Sequence, residues 1–128
     1  MDLSRLRQRV YLLNKKRSNL LNRVLRPGKM IQGSLYQMGR CCGNPNCKCA
    51  RGEKHISWYL SRLVEGKTKL TYIGRIVPLW LSQRVHRYQH HQRLLAQIRK
   101  TDSEISNFLN QIKDAMVQTI EEVRKGHK

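Results

Sequence analysis

Residues 41–55 read Cys41-Cys42-Gly43-Asn44-Pro45-Asn46-Cys47-Lys48-Cys49-Ala50-Arg51-Gly52-Glu53-Lys54-His55. The stretch holds four cysteines and one histidine, with turn-forming Gly, Asn and Pro residues between them. Zinc in proteins prefers a tetrahedral set of thiolates and imidazoles, and four protein ligands make a structural site. Because turn residues let the two ends of the stretch converge, the sequence predicts one structural Zn²⁺ ion.

Five side chains in this stretch compete for the four positions around the ion. Neighbouring Cys41 and Cys42 do not easily bind the same ion, and the turn residues follow Cys42 directly. We therefore favour Cys42 and keep Cys41 as its alternative. The predicted ligands are Cys42, Cys47, Cys49 and His55.

Residues 31–77, around the zinc motif, have the pattern of a small antiparallel sheet. Ile56, Trp58 and Leu60 alternate along one predicted strand, and residues 70–73 form a second, rich in β-formers. Residues 65–68 are expected to turn between them, and residues 34–38 are a candidate third strand. We therefore expect a zinc-stabilised β-hairpin or small antiparallel sheet, with one of Trp58 and Tyr59 in the core.

Helical patterns flank this region on both sides. Residues 3–26 carry a heptad seam interrupted by Arg17, with Asp2 as the expected N-cap and Pro27-Gly28 as the stop. The seam is Leu3, Leu6, Val10, Leu13, Leu20 and Val24.

The apolar pattern of residues 79–125 predicts a long helix with coiled-coil character. Asp102 and Thr119 interrupt its seam, which consists of Leu95, Ile98, Ile105, Leu109, Ile112, Met116 and Val123. Residues 101–104 match a capping box, which indicates a bend near residue 101 or a helical hairpin. Trp80 is expected to lie in the core.

The fold class expected for residues 1–128 is therefore α+β, in a single domain. A helix over 79–125 is about twice as long as one over 3–26, so half of its seam would lack a partner. We expect a homo-oligomer or a partner protein to cover that seam through the helices.

Charge dominates the composition. The chain carries 26 Lys and Arg against 8 Asp and Glu, a formal net charge of +18, which favours a polyanionic partner such as DNA or RNA. After Asp2, the first 40 residues contain no acid. The residues expected to contact phosphate are Arg5, Arg9, Lys15, Lys16, Arg23, Arg26, Lys29, Arg40, Lys48, Arg51 and Lys54.

Several classes of protein lack support in the sequence. No apolar run reaches the roughly 20 residues of a membrane-spanning helix, and no secretory signal is recognisable, so we expect a cytoplasmic protein without membrane contact. The sequence has no phosphate-binding Gly-rich loop and no nucleophile elbow. Most of its few acids lie near the C-terminus, which argues against a two-metal nuclease and favours a protein that is not an enzyme.

A resemblance rests on Cys42-Gly43, residues 47–52, His55, residues 58–60, Gly66-Lys67 and Val77-Pro78. In these positions the chain resembles a family of small prokaryotic proteins of unknown function that often occur beside mobile-element or transposase genes. The resemblance covers most of the chain and implies the same four zinc ligands. Cys41 stands where that family usually has another residue.

Together these features predict a non-catalytic zinc-containing nucleic-acid-binding protein, in the setting of a mobile element. The alternative is an interaction subunit whose helices dock onto a larger nucleoprotein complex such as a transposase or recombinase.

Overall fold

The described residues of the chain form three helices and three strands. The computed structural model describes residues 2–40, 43–46, 52 and 54–126. The elements in chain order are α1 (Leu3–Val24), β1 (Ser34–Arg40), β2 (His55–Val64), β3 (Lys67–Gly74), α2 (Leu79–Met116) and α3 (Ile120–Gly126). The protein is therefore α+β, as its sequence predicts.

The contacts divide the chain into two compact units. The sheet unit is Pro27–Arg93, and the helical unit combines Met1–Arg26 with Leu94–Lys128. Helix α2 supplies residues to both units. The expectation of a single domain over residues 1–128 stays a prediction.

Helix α1 begins where the sequence predicts and ends earlier. The Asp2 carboxylate accepts a hydrogen bond from the Arg5 backbone N–H at 2.8 Å, which makes Asp2 the N-cap. The helix stops at Val24, although its pattern predicts helix to residue 26. Leu25 is the C-cap, and helix at Arg26 is disfavoured because a proline disfavours helical backbone in the residue before it.

The three strands form one antiparallel sheet in the order β1-β2-β3. Strand β1 pairs with β2 from Ser34↔Ser61 to Arg40↔His55, so it is two residues longer than predicted. Strand β2 pairs with β3 from Val64↔Lys67 onward, with a register shift at Trp58 and Tyr59. The predicted hairpin and the predicted third strand are both confirmed.

The turn between β2 and β3 is tighter than the four residues expected. Only Glu65 and Gly66 lie outside the strands, and both have positive φ, 52° and 79°. A two-residue loop with positive φ at both positions is a type I′ turn, whose twist matches that of the flanking strands. Glu65 adopts this left-handed backbone conformation although its Cβ makes positive φ unfavourable, a restriction that glycine does not have.

The core of the sheet unit lies between the sheet and the first turns of α2. Leu60 of β2 packs with Leu81 and Val85 of α2, and these three side chains are buried. Four partly buried side chains surround them: Ile31, Leu35, Ile73 and Val77. The sheet thus packs against the part of α2 that precedes the predicted seam, which begins at Leu95.

The helical unit has a narrow core. Leu6 and Leu20 of α1 and Leu94 and Thr101 of α2 are buried. The α1 seam is as predicted. In α2 the predicted Leu95, Ile98, Ile105 and Ile112 are partly buried, whereas the predicted Leu109 and Met116 are exposed and Leu94 is buried in addition.

Helix α2 continues without interruption through the predicted capping box at 101–104. Thr101 lies inside the helix, where its hydroxyl donates to the Gln97 carbonyl at 2.8 Å. The helix ends at Met116 instead, and a second match to the same motif caps α3: the Glu122 N–H donates to Thr119 Oγ1 at 3.1 Å, and the Thr119 N–H donates to Glu122 Oε2 at 3.4 Å. Among the helices described, none combines the length and the hydrophobicity that crossing a bilayer requires.

Candidate nucleic-acid interface

Four cations of α1 share one face of the helix. Arg5, Arg9, Lys16 and Arg23 are spaced by four, seven and seven residues, and all four are exposed. Such spacing keeps side chains on one side of an α-helix. We call these four residues the α1 basic stripe; from Arg5 to Arg23 it runs for about 27 Å along the helix axis.

The charge of this stripe is not balanced within its own helix. Residues 3–24 contain no Asp or Glu. The nearest acid in sequence is Asp2, whose carboxylate lies 4.0 Å from the Arg5 guanidinium and caps the helix. Arg5 and Arg9 also line an open cleft of about 460 Å³ together with Gln8 and Leu12. The stripe therefore offers several cations and neutral polar groups to one elongated anion.

The other predicted contacts of this region are more dispersed. Lys15 is exposed but lies off the stripe, and Arg26 and Lys29 are exposed in the segment after the helix. Arg17 belongs to the seam. Its guanidinium pairs with the Asp102 carboxylate, so one polar interruption of each predicted seam meets the other. Arg17 is therefore occupied in holding α1 against α2.

Two of the residues expected to contact phosphate, Arg40 and Lys54, lie in the sheet unit. The Arg40 guanidinium lies 5.0 Å from the centre of the Tyr59 ring, within the range of a cation–π interaction. The stem of Lys54 lies over Gly39, where an added Cβ would come within 3.1 Å of it. Lys48 and Arg51 lie outside the described residues.

His55, one of the predicted zinc ligands, is the first residue of β2 and the Cα partner of Arg40. Paired Cα atoms of antiparallel strands lie about 4.5–5.5 Å apart, so the chain leaves the sheet at Arg40 and returns to it beside the same point. The described part of the connection between β1 and β2 contains a predicted turn, in which the Asn46 N–H donates to Asn44 Oδ1 at 3.0 Å. Gly52 has φ 100°, which favours glycine there.

The three predicted cysteine ligands, Cys42, Cys47 and Cys49, and the alternative Cys41 lie outside the described residues. Within the part of the chain that is described, no group of three or more His, Cys, Asp or Glu side chains is arranged to hold a metal ion. The zinc site stays a prediction, with His55 as its one described member.

Sequence reasoning missed a line of aromatic rings across the sheet. The register places Tyr36 opposite Tyr59 and Tyr59 opposite Tyr72, so each strand contributes one ring. The ring centres are 6.4 Å and 5.6 Å apart. The sequence carries the three tyrosines but not the register that aligns them.

The prediction that Trp80 lies in the core is wrong. It is exposed at the start of α2 rather than in the core, and the Arg84 guanidinium lies 5.2 Å from its ring centre. The two residues are one helical turn apart, a spacing that permits this contact. Of the adjacent pair in β2, Tyr59 is buried and Trp58 is partly buried.

The comparison with known families rests on residues 3–83, which match the profile described as "Domain of unknown function (DUF6788)". This match covers more than half of the chain. The chain belongs to the DUF6788 family. The matched residues of this DUF6788 member include α1, the whole sheet and the first turn of α2. Comparisons with curated proteins and with solved structures gave no match.

Proposed function

We propose that this DUF6788 protein is a non-catalytic, zinc-containing protein that binds nucleic acid. The observation that carries the proposal is the α1 basic stripe, four exposed cations on one helix face without an acid in that helix. Lys and Arg on such a surface neutralise phosphates and release counterions, which supplies affinity without sequence recognition.

The sheet unit supports the same proposal by its charge. Residues 27–93 contain 12 Lys and Arg and only 2 acids, Glu53 and Glu65. A unit of this size with so large an excess of cations repels itself unless polyanions are near. A nucleic-acid backbone meets that requirement.

The proposed zinc ion would be held by Cys42, Cys47, Cys49 and His55. Sequence spacing supports this set, because Cys42 follows Arg40 by only two residues. His55 is the strand partner of Arg40, so the connection that carries the cysteines leaves and rejoins the sheet at the same end. Zinc bound there would stabilise the junction of β1 and β2 and supply no chemistry.

A role as an accessory factor of a mobile element is part of the proposal and is supported by the resemblance of residues 42–78 to proteins encoded beside such elements. The absence of a catalytic role is supported by the scarcity of acids: 8 in the chain, with 5 of them after residue 101. Cytoplasmic localisation belongs to the proposal too, since the cysteines then remain reduced and available to zinc.

The test is the salt dependence of binding to a duplex of random sequence. If four stripe cations contact phosphate, the slope of log affinity against log salt should be about −3.6 from the stripe alone. Arg9→Gln with Lys16→Gln should then reduce the slope by about 2 and weaken binding equally for different sequences. A double variant at Lys113 of α2 and Lys125 of α3, both exposed, removes the same charge outside the stripe and should leave the slope nearly unchanged. An affinity that barely changes with salt contradicts the proposal.

A second candidate function is an interaction subunit of a larger nucleoprotein complex, such as a transposase or recombinase. The observation that favours it is a run of exposed apolar side chains at the end of the helical unit: Leu109, Met116, Val117 and Ile120. Exposed apolar side chains in such a cluster are typical of protein–protein contact. A complex with a recombinase that persists after nuclease treatment and is lost with Leu109→Ser and Met116→Ser would favour it. A homo-oligomer that the same substitutions dissociate would instead identify a second copy as the partner.

A further inference from the structure

The line of tyrosines lies on the face of the sheet that does not pack against α2. Side chains of a strand alternate between the two faces, and Leu60 of β2 points into the core with Leu81 and Val85. Its neighbour Tyr59 therefore points to the opposite face. Tyr36 and Tyr72 lie on that face too, because they are the register partners of Tyr59. We call these three residues the tyrosine row.

The rings of the row are not equally accessible. Tyr72, on the edge strand β3, is 63% exposed, and Tyr36, on the edge strand β1, is partly buried. Tyr59 in the middle is only 8% exposed. Its ring meets Tyr72 edge to face at an interplanar angle of 70° and Tyr36 at 32°. The central ring thus supports two outer rings that present aromatic surface to a ligand.

Arg40 gives the same face a positive charge. Its guanidinium stacks over Tyr59 and its side chain is exposed, so the group is held in place while its N–H donors remain available. Ser61, which is two residues from Tyr59 along β2 and partly exposed, adds a hydroxyl group to this face. The ligand that fits is an anion with several flat rings.

We propose that the tyrosine row is a stacking platform for the bases of a single-stranded nucleic acid, with Arg40 contacting its phosphates. This inference rests on the proposed nucleic-acid binding and specifies that the sheet unit binds single strands. Bases of a single strand have free faces that stack on aromatic side chains, whereas the bases of a duplex are already stacked on one another. The excess of cations in the sheet unit favours a polyanion over a neutral aromatic-binding peptide.

The experiment compares binding of the full-length protein to a 12-nucleotide single strand and to a duplex of the same length by fluorescence anisotropy. Tyr72→Ala removes the most exposed ring of the row and no residue of the core. It should weaken binding of the single strand by about 5- to 100-fold, the effect of losing one stacked base, and leave the duplex within about twofold. The salt slope for the single strand should not change, because Tyr72 neutralises no phosphate.

Two variants control for the chemistry of the substitution. Tyr72→Phe keeps the ring and should bind the single strand like the wild type. Tyr11→Ala removes an exposed tyrosine of α1 that lies outside the row and should also bind like the wild type. Equal thermal unfolding of all variants shows that each is folded.

The outcomes separate this inference from the function on which it rests. If the wild type binds both nucleic acids with a steep salt slope and Tyr72→Ala binds them equally well, the platform is wrong and the proposed function stands. If the wild type binds neither, both are wrong. A proline-rich peptide that binds the wild type and not Tyr72→Ala, while single-strand binding is unaffected, would assign the row to protein recognition and overturn the inference.

Discussion

The ion pair between Arg17 and Asp102 joins α1 to α2 across 85 residues of sequence. Both residues interrupt an otherwise apolar heptad seam, and a polar pair in such a seam fixes the register of two helices. Substituting either residue alone leaves the other residue charged, partly buried and without its ion-pair partner. We therefore expect the two substitutions to be strongly coupled.

The expected size of the coupling follows from the exposure of the two side chains, 37% for Arg17 and 47% for Asp102. Fully exposed pairs contribute about 0.2–1 kcal/mol, and breaking a buried pair costs about 3–5 kcal/mol. Since solvent screens this pair in part, we expect a coupling free energy of about 1 kcal/mol. In a chain of this size that corresponds to a change of roughly 3–6 °C in the melting temperature.

The assay is a double-mutant cycle by urea unfolding of the wild type, Arg17→Met, Asp102→Ala and the double variant. Methionine keeps the apolar stem of Arg17 in the seam, so the cycle isolates the charge interaction. The matched control is the pair of Lys113 and Asp114, which is 3.6 Å apart and well exposed on the same helix. The reasoning is refuted if the coupling of Arg17 and Asp102 at low salt does not exceed that of the control.

Three further predictions concern the hairpin turn, the α3 cap and the zinc site. Glu65→Asn should raise the free energy of unfolding by about 0.5–1 kcal/mol, because Asn tolerates the positive φ of a type I′ turn better than Glu; lower stability in urea would contradict the turn. Thr119→Ala should reduce the protection of α3 amides against hydrogen exchange by about 1 kcal/mol through loss of the cap, whereas Gln118→Ala should not; equal effects would contradict the capping box. Cys47→Ser should lower both the zinc content and the melting temperature, and unchanged values of both would exclude the site.

The features that local sequence determined are those whose cause is also local. The N-cap at Asp2 and the hairpin around Gly66 follow from the backbone preferences of a few adjacent residues, and the structure has both. The spacing of Arg5, Arg9, Lys16 and Arg23 needs only the period of a helix to place them on one face. The cysteine and histidine spacing predicts zinc in the same way, and that site stays a prediction.

Only the tertiary structure decided the features that depend on residues distant in the sequence. Residues 101–104 and 119–122 match the same capping motif, and only the second caps a helix, because Thr101 is buried within the helical unit and α2 continues through it. The pairing of Arg17 with Asp102 and the alignment of Tyr36, Tyr59 and Tyr72 depend on register between separate elements. Sequence supplies the period of each element, but the register between elements is set by the packing of all their side chains together.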